Sequence, residues 1–339
     1  MTAPEVVVVT GASAGVGRAT AREFARRGAR VGLIARGAGG LEATKNDVEE
    51  LGGEAFVCVA DVADHRQVEA AASAVEKHLG PIDVWVNNAM VTIVSPVKEL
   101  APEEFKHATE VTYLGTVYGT LAALARMLPR DRGAIVQVGS ALAYRAIPLQ
   151  APYCACKFAI RGFTDSLRTE LLHDKSNVHL TMVQMPALNT PQFDWCKTRM
   201  PRQPKPVPPI YQPEVAARAI VWAAHHRRRE IWVGMSALKA ILANKIAPGL
   251  LDRYLADTCY EAQETDEPVQ SDRADNFISP LPGDYGAHGR FDAQARSWSP
   301  ELWLSTHRGW LAAAALGLAA LGARRLRRIG EGRGSDGDD

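Results

Sequence analysis

Val6-Val7-Val8-Val9-Thr10-Gly11-Ala12-Ser13-Ala14-Gly15-Val16-Gly17 is the stretch on which the reading of this chain turns. Four consecutive valines make a strand buried on both faces. The run enters Thr10-Gly11, and Gly15 and Gly17 open an amphipathic helix. Gly11 permits the tight turn, Gly15 lets the backbone approach a phosphate, and Gly17 lets the helix pack closely on the strand. The helix N-terminus attracts a pyrophosphate, with Ser13 and Val16 in the same cofactor-binding loop. The strand before and the helix after supply the context that a bare glycine string lacks.

Outward from this unit the same alternation continues. Strands are expected at Val6–Val9, Arg30–Ala35, Ala55–Val59, Asp83–Val86, Ala134–Val138, His179–Val183 and Glu230–Val233. Helices are expected between them, at Gly17–Arg27, Leu41–Leu51, Asp64–His78, Pro102–Leu128, Ala151–His173 and Pro213–His226. Strand and helix in steady succession mean an α/β fold, a parallel sheet with right-handed crossovers. The proline-rich Pro186–Pro213 reads as an extended loop, and after Gly234 the strand pattern is lost. Residues 1–250 are therefore read as the nucleotide-binding catalytic domain. Residues 251–300 form an irregular extension, and 301–339 a helix with a basic cluster and an acidic tail.

The chain has 339 residues, 39 Lys+Arg against 38 Asp+Glu and a net charge of +1, a balance that argues against a nucleic-acid binder. Five scattered cysteines without a CxxC pair exclude a disulfide framework and a zinc ribbon, and no histidine spacing suggests a metal. The first residues lack a secretory signal, so a cytoplasmic location is expected.

Two further features carry chemistry. The second strand ends Ile34-Ala35-Arg36-Gly37, with arginine where a carboxylate would select NAD. Arg36 can pair with a 2′-phosphate, so NADP(H) is the expected cofactor. Tyr153 and Lys157 lie four apart on one helix face, and Ser140 follows an apolar strand at its C-terminal end. A cation beside a phenol favours the phenolate, which makes Tyr153 a general acid/base.

In this order, Thr10–Gly17, Asp61-Val62, Asn87-Asn88-Ala89, Ser140 and Tyr153–Lys157 resemble the motifs of the short-chain dehydrogenase/reductase family in its compact form, over roughly residues 5–235. The resemblance implies a Rossmann-type, doubly wound sheet of seven parallel strands and hydride transfer between a nicotinamide and an alcohol/carbonyl pair. It implies that Tyr153 protonates the carbonyl oxygen and that Lys157 lowers its pKa and binds the nicotinamide ribose. Ser140 would hydrogen-bond the substrate oxygen. Asp61, with Val62, would contact the adenine, and Asn88 with Ala89 would line the cofactor cleft. Pro186 and Thr190, after the sixth strand, would also touch cofactor. A homo-oligomer through the helices at Pro102–Leu128 and Ala151–His173 is implied too.

The chain departs from that pattern at three places. Met90 replaces a glycine, Thr112 replaces the helix asparagine of the proton relay, and Ala187 follows Pro186 in place of glycine. Thr112 is kept in the catalytic set because its hydroxyl can hold a water; the alternative is that it simply packs. Leu142, Tyr144, Ile147, Leu188, Phe193, Trp195 and Met200 are candidate pocket residues, and Leu142, Phe193 and Trp195 are the chosen substrate contacts. Their apolar character suggests a hydrophobic carbonyl or alcohol. The competing reading is a non-catalytic NADP-binding sensor or scaffold. At the far end, residues 310–329 place Leu311, Leu318, Leu326 and Ile329 near one helix face beside Arg324–Arg328. That pattern fits a membrane surface, and it also fits packing on the body; the run is short for a span.

Overall fold

The structure, a computed structural model, describes residues 4–309. The C-terminal stretch 310–329, with its expected membrane contact, lies outside the described residues.

Seven strands form one sheet: β1 (Val6–Thr10), β2 (Arg30–Ala35), β3 (Glu54–Val59), β4 (Val84–Asn87), β5 (Ala134–Ser140), β6 (His179–Met185) and β7 (Glu230–Trp232). Their order is β7-β6-β5-β4-β1-β2-β3, and every pair is parallel. The expected Rossmann-type, doubly wound α/β fold is what the chain adopts. The order reverses between β1 and β4, the crevice where such sheets bind ligands. Parallel strands need crossovers, and the helices supply them on both faces. They are α1 (Gly15–Ala25), α2 (Ala38–Glu50), α3 (His65–Leu79), α4 (Pro102–Thr109), α5 (Gly115–Met127), α6 (Ala151–His173) and α7 (Pro213–His225).

The valine run explains the two cores. Val7 and Val9 bury themselves with Phe24, Leu33 and Ile220, while Val6 and Val8 face Val75, Trp85 and Leu180 on the other side. Side chains alternate across a strand, so a strand apolar at every position serves both layers. Asp64 caps α3 by accepting the Arg66 N–H at 2.9 Å.

Two expectations change. The single helix expected at Pro102–Leu128 is α4, a π turn at Glu110–Leu114, and α5. The reason lies in Thr112, whose hydroxyl accepts from the Val91 N–H and donates to the Val91 carbonyl, both at 3.2 Å. After Gly234 the chain forms two helices, α8 (Met235–Ile246) and α9 (Pro248–Thr258), because Pro248 cannot continue the first. The strand-free reading after Gly234 also gives way. Glu264–Pro268 pairs antiparallel with Arg202–Pro204 from the proline-rich loop. Prolines tolerate such an edge, where no donor is demanded of them.

Beyond that strand the chain returns to the body. Phe277 is fully buried in the core on the α3 and α5 side, edge-on to His107 at 5.2 Å. Phe291 is buried as well, and its N–H reaches the Asn189 side chain at 3.0 Å.

Candidate active site

The C-terminal ends of β1, β2, β4, β5 and β6 open into one cleft of about 430 Å³. That volume lies within the usual range for small-molecule sites. The glycine loop forms its floor. Gly11 and Gly15 have φ of +67° and +55°, a region that disfavours every residue with a Cβ. Gly17 faces away from the cleft: a Cβ there would run into the Gly11 carbonyl and the Asn88 side chain. It is the packing glycine that the sequence suggested.

Of the expected cofactor residues, Gly11, Ser13, Gly15, Val16, Arg36, Asp61, Val62, Asn88, Ala89, Pro186 and Thr190 all line the cleft, with Ser140, Tyr153 and Lys157. Thr190 packs over the loop, its Cβ 3.3 Å from where a Cβ on Gly15 would stand. Asn88 works as a clamp. Its amide nitrogen donates to the carbonyls of Thr10 and Gly11 at 3.0 and 3.3 Å, and its backbone N–H donates to the Thr10 hydroxyl at 2.9 Å. Asn87 turns the other way, into a buried network with Trp85, Thr120 and Gln137. One carboxylate oxygen of Asp61 accepts the Ala63 N–H at 2.9 Å, which fixes the turn after β3.

β5 ends at Ser140, and α6 carries Tyr153 and Lys157 on the face turned toward it. The Ser140 oxygen accepts the Leu142 N–H at 3.1 Å, which leaves its own proton free to donate. Lys157 is almost fully buried and donates to the Val138 carbonyl at 2.7 Å. Its nitrogen stands 5.4 Å from the Tyr153 ring centre. Burial pushes the Tyr153 phenol above its ordinary value, and the Ser140 hydroxyl offsets part of this. Burial pushes the Lys157 ammonium down to about 8. The phenol is therefore governed here by its burial and not by the lysine, contrary to the expectation of a lowered value.

Thr112 does not join this group. It is buried, bonded to Val91, and outside the cleft lining. The geometry gives its hydroxyl to holding the π turn, because both of its hydrogen-bonding capacities are spent on one backbone unit. Leu142, Ile147, Leu188, Phe193 and Trp195 line the far end of the cleft. Tyr144 and Met200 do not. Tyr144 donates to Glu230 at 2.5 Å, and Met200 packs against Val94, Leu149 and Cys196.

Arg36 reaches the expected place at the end of β2, but it is not idle. Its two terminal nitrogens donate to the carbonyls of Ile278 and Asn276 at 2.6 and 2.8 Å. Leu255, Cys259, Asn276, Pro280, Leu281, Gly283 and Tyr285 line the cleft too, and sequence reasoning missed all of them. Leu255 and Cys259 lie at the end of α9 and the others in a stretch without regular structure, and none carries a family-like motif, so no local signal marked them. Among the described residues no group of three or more acidic, histidine or cysteine side chains could hold a metal.

The model of the short chain dehydrogenase family matches residues 5–198, the glycine loop and the Ser/Tyr/Lys set included. The chain belongs to the short-chain dehydrogenases. It is similar to an uncharacterized oxidoreductase, YxnA, of Bacillus subtilis (strain 168), 33% identical over 266 residues, which cover 78% of this chain and 75% of that one. It also resembles the 3-dehydrosphinganine reductase of Danio rerio, 33% identical over 223 residues, covering 63% and 67% of the two chains. Among solved structures it is similar to an alcohol dehydrogenase of the archaeon Thermococcus sibiricus complexed with 5-hydroxy-NADP. That match has 28% identity and a TM-score of 0.58, and covers 68% of this chain and 95% of that one. As a short-chain dehydrogenase the chain is an oxidoreductase acting on small molecules with a nicotinamide cofactor. No helix among the described residues is long and apolar enough to cross a membrane.

Proposed function

We propose that this short-chain dehydrogenase interconverts a carbonyl and an alcohol on a hydrophobic substrate, using NADP(H). The observation that carries the reading is the convergence of Ser140, Tyr153 and Lys157 in the same cleft as the glycine loop. The dinucleotide supplies the hydride. Gly11, Ser13, Gly15 and Val16 would hold its pyrophosphate, Asp61 and Val62 its adenine, and Asn88, Ala89, Pro186 and Thr190 the walls around it. The Ser140 hydroxyl, its oxygen already fixed by Leu142, donates to the substrate oxygen. The Tyr153 phenol keeps its proton through neutral pH because it is buried, which suits it to protonate a carbonyl as charge develops there. Lys157, fixed by Val138, places a cation beside the phenolate that remains. Leu142, Phe193 and Trp195 present an apolar wall to the rest of the substrate.

For the cofactor, the reading rests on Arg36 and on the lack of a carboxylate at the end of β2. Similarity to an enzyme solved with 5-hydroxy-NADP supports it. The decisive variant is Tyr153→Phe: turnover on a substrate that the parent reduces should fall by about three orders of magnitude or more. NADPH binding, followed by its fluorescence, should stay within a few-fold of the parent. Undiminished turnover in that variant removes the assignment. A non-catalytic NADP-binding role is favoured only by the diversion of Thr112 to Val91. Failure across a broad panel of ketones and aldehydes, despite tight NADPH binding, would select it. Self-association is proposed through α5 and α6, where Leu121, Phe158 and Leu172 stand exposed.

A further inference from the structure

The chain between Phe277 and Phe291 crosses the first strand–helix unit, and its middle is held there by α1, by its first residue Gly15 and by the end of β2, while its far end bonds to Asn189, Asp194 and Glu214. Arg36 binds the carbonyls of Asn276 and Ile278. Arg18, buried in α1 and fixed by Asp47 at 2.8 Å, forms an ion pair with Asp284. The Gly15 N–H, at the start of α1, donates to the Gly286 carbonyl at 3.1 Å. A Cβ on Gly37 would stand 3.5 Å from that of Pro280. Pro280, Leu281 and Tyr285 line the cleft together with the glycine loop.

The two ends of this segment are anchored differently from its middle. Phe277 is buried at one end, and at the other Ala287 packs with Ala19 and Ala217 ahead of the buried Phe291. Between them Ile278 is 59% exposed, the Asp284 side chain is 47% exposed, and no regular secondary structure is present. Holds of this kind open at low cost compared with a core contact. A segment fixed at both ends, lightly held in the middle and lying across a ligand cleft has the construction of a lid.

We propose that residues 278–286 form a clasp that lifts to admit the nicotinamide dinucleotide and closes over its adenosine half, so that cofactor exchange is gated by the clasp. The proposal rests on the reading of the cleft as a dinucleotide site. It also gives Arg36 a second task, as a positioning residue that holds the clasp.

The spacing at Gly37 and Pro280 suits a disulfide, whose Cβ atoms lie about 3.5–4.5 Å apart. Gly37 has φ of −88°, which cysteine adopts freely. The full chain carrying Gly37→Cys and Pro280→Cys is compared with itself, oxidised and reduced, with the crosslink verified by mass. Association and dissociation of NADPH and of NADH are followed by stopped-flow fluorescence. The oxidised form should exchange both at least about tenfold more slowly, and reductant should restore the rates. In a second variant that leaves the cleft untouched, Asp284→Asn, NADPH should dissociate about two- to fivefold faster, the range a half-exposed ion pair is worth. Equal exchange rates in the oxidised and reduced forms overturn the clasp and leave the cofactor reading intact. If the parent binds neither NADPH nor NADH, the cofactor reading falls and the clasp falls with it.

Discussion

Ser140, Tyr153 and Lys157 show how residue type and residue setting divide the work at the smallest scale. Their spacing placed Tyr153 and Lys157 on one helix face, and the structure has them there. Spacing did not foretell the charge balance. Burial pushes the Tyr153 phenol up rather than down, and the lysine donates a hydrogen bond to the Val138 carbonyl. Arg36 is a similar case. Its position at the end of β2 was legible, while its carbonyl partners, some 240 residues away in sequence, were not. The guanidinium has five N–H donors, and the two carbonyl bonds leave others for a phosphate. Arg36→Ala should therefore weaken NADPH by about tenfold or more, the worth of a charge-assisted contact. NADH should be weakened less. Equal losses for the two, measured by titration, would leave Arg36 with the clasp alone.

Elements were read best where their pattern was strongest. α6 has the expected limits, and all seven strands lie within a residue or two of theirs. The break between α4 and α5 escaped because a π turn leaves helical periodicity nearly unchanged, and what fixes it is a threonine bonded to another part of the chain. The loop after β6 escaped for the converse reason: its short strands pair with distant segments, Ala187–Leu188 with Ile210–Tyr211, Lys197–Thr198 with Ile93–Val94, and Arg202–Pro204 with Glu264–Pro268. α4 is tied to that loop by Glu104, which accepts the Arg199 guanidinium at 2.8 Å and the Lys197 ammonium at 3.0 Å. Burial of this carboxyl opposes its charge, but the Arg199, Ala101 and Lys197 hydrogen bonds prevail and hold it down to about 2, against 4.5 for a free glutamate. A lowered value in the folded state means stability present above pH 4.5 and lost as pH falls toward about 2. Glu104→Gln should destabilise the chain at neutral pH by about 1–3 kcal/mol, because two cations are left facing a neutral group. In denaturant titrations the difference from the parent should vanish toward the acid end of that window. A difference constant with pH would refute the ion pairing.

At the scale of the whole molecule, within residues 4–309, the chain after Gly234 lays residues 255–285 along the cleft of the dehydrogenase body. The body exposes Leu121 and Leu128 on and just beyond α5, and Phe158 and Leu172 on α6, two helices that pack side by side. An apolar surface on adjoining helices is costly to leave in water. Sedimentation should find a mass at least twice that of one chain, and Phe158→Glu should lower it toward one. A parent that sediments as a single chain at micromolar concentration rules the surface out. The sequence by itself determined the sheet, its crossovers, the glycine loop and the Ser/Tyr/Lys set, because each depends on short-range periodicity or on spacing within one element. Only the tertiary structure decided that Thr112 serves Val91, that Phe277 belongs to the core, and that the extension closes one wall of the cleft. Those are contacts between residues far apart in the chain, chosen by which surfaces meet once the sheet has formed, and no local pattern encodes them.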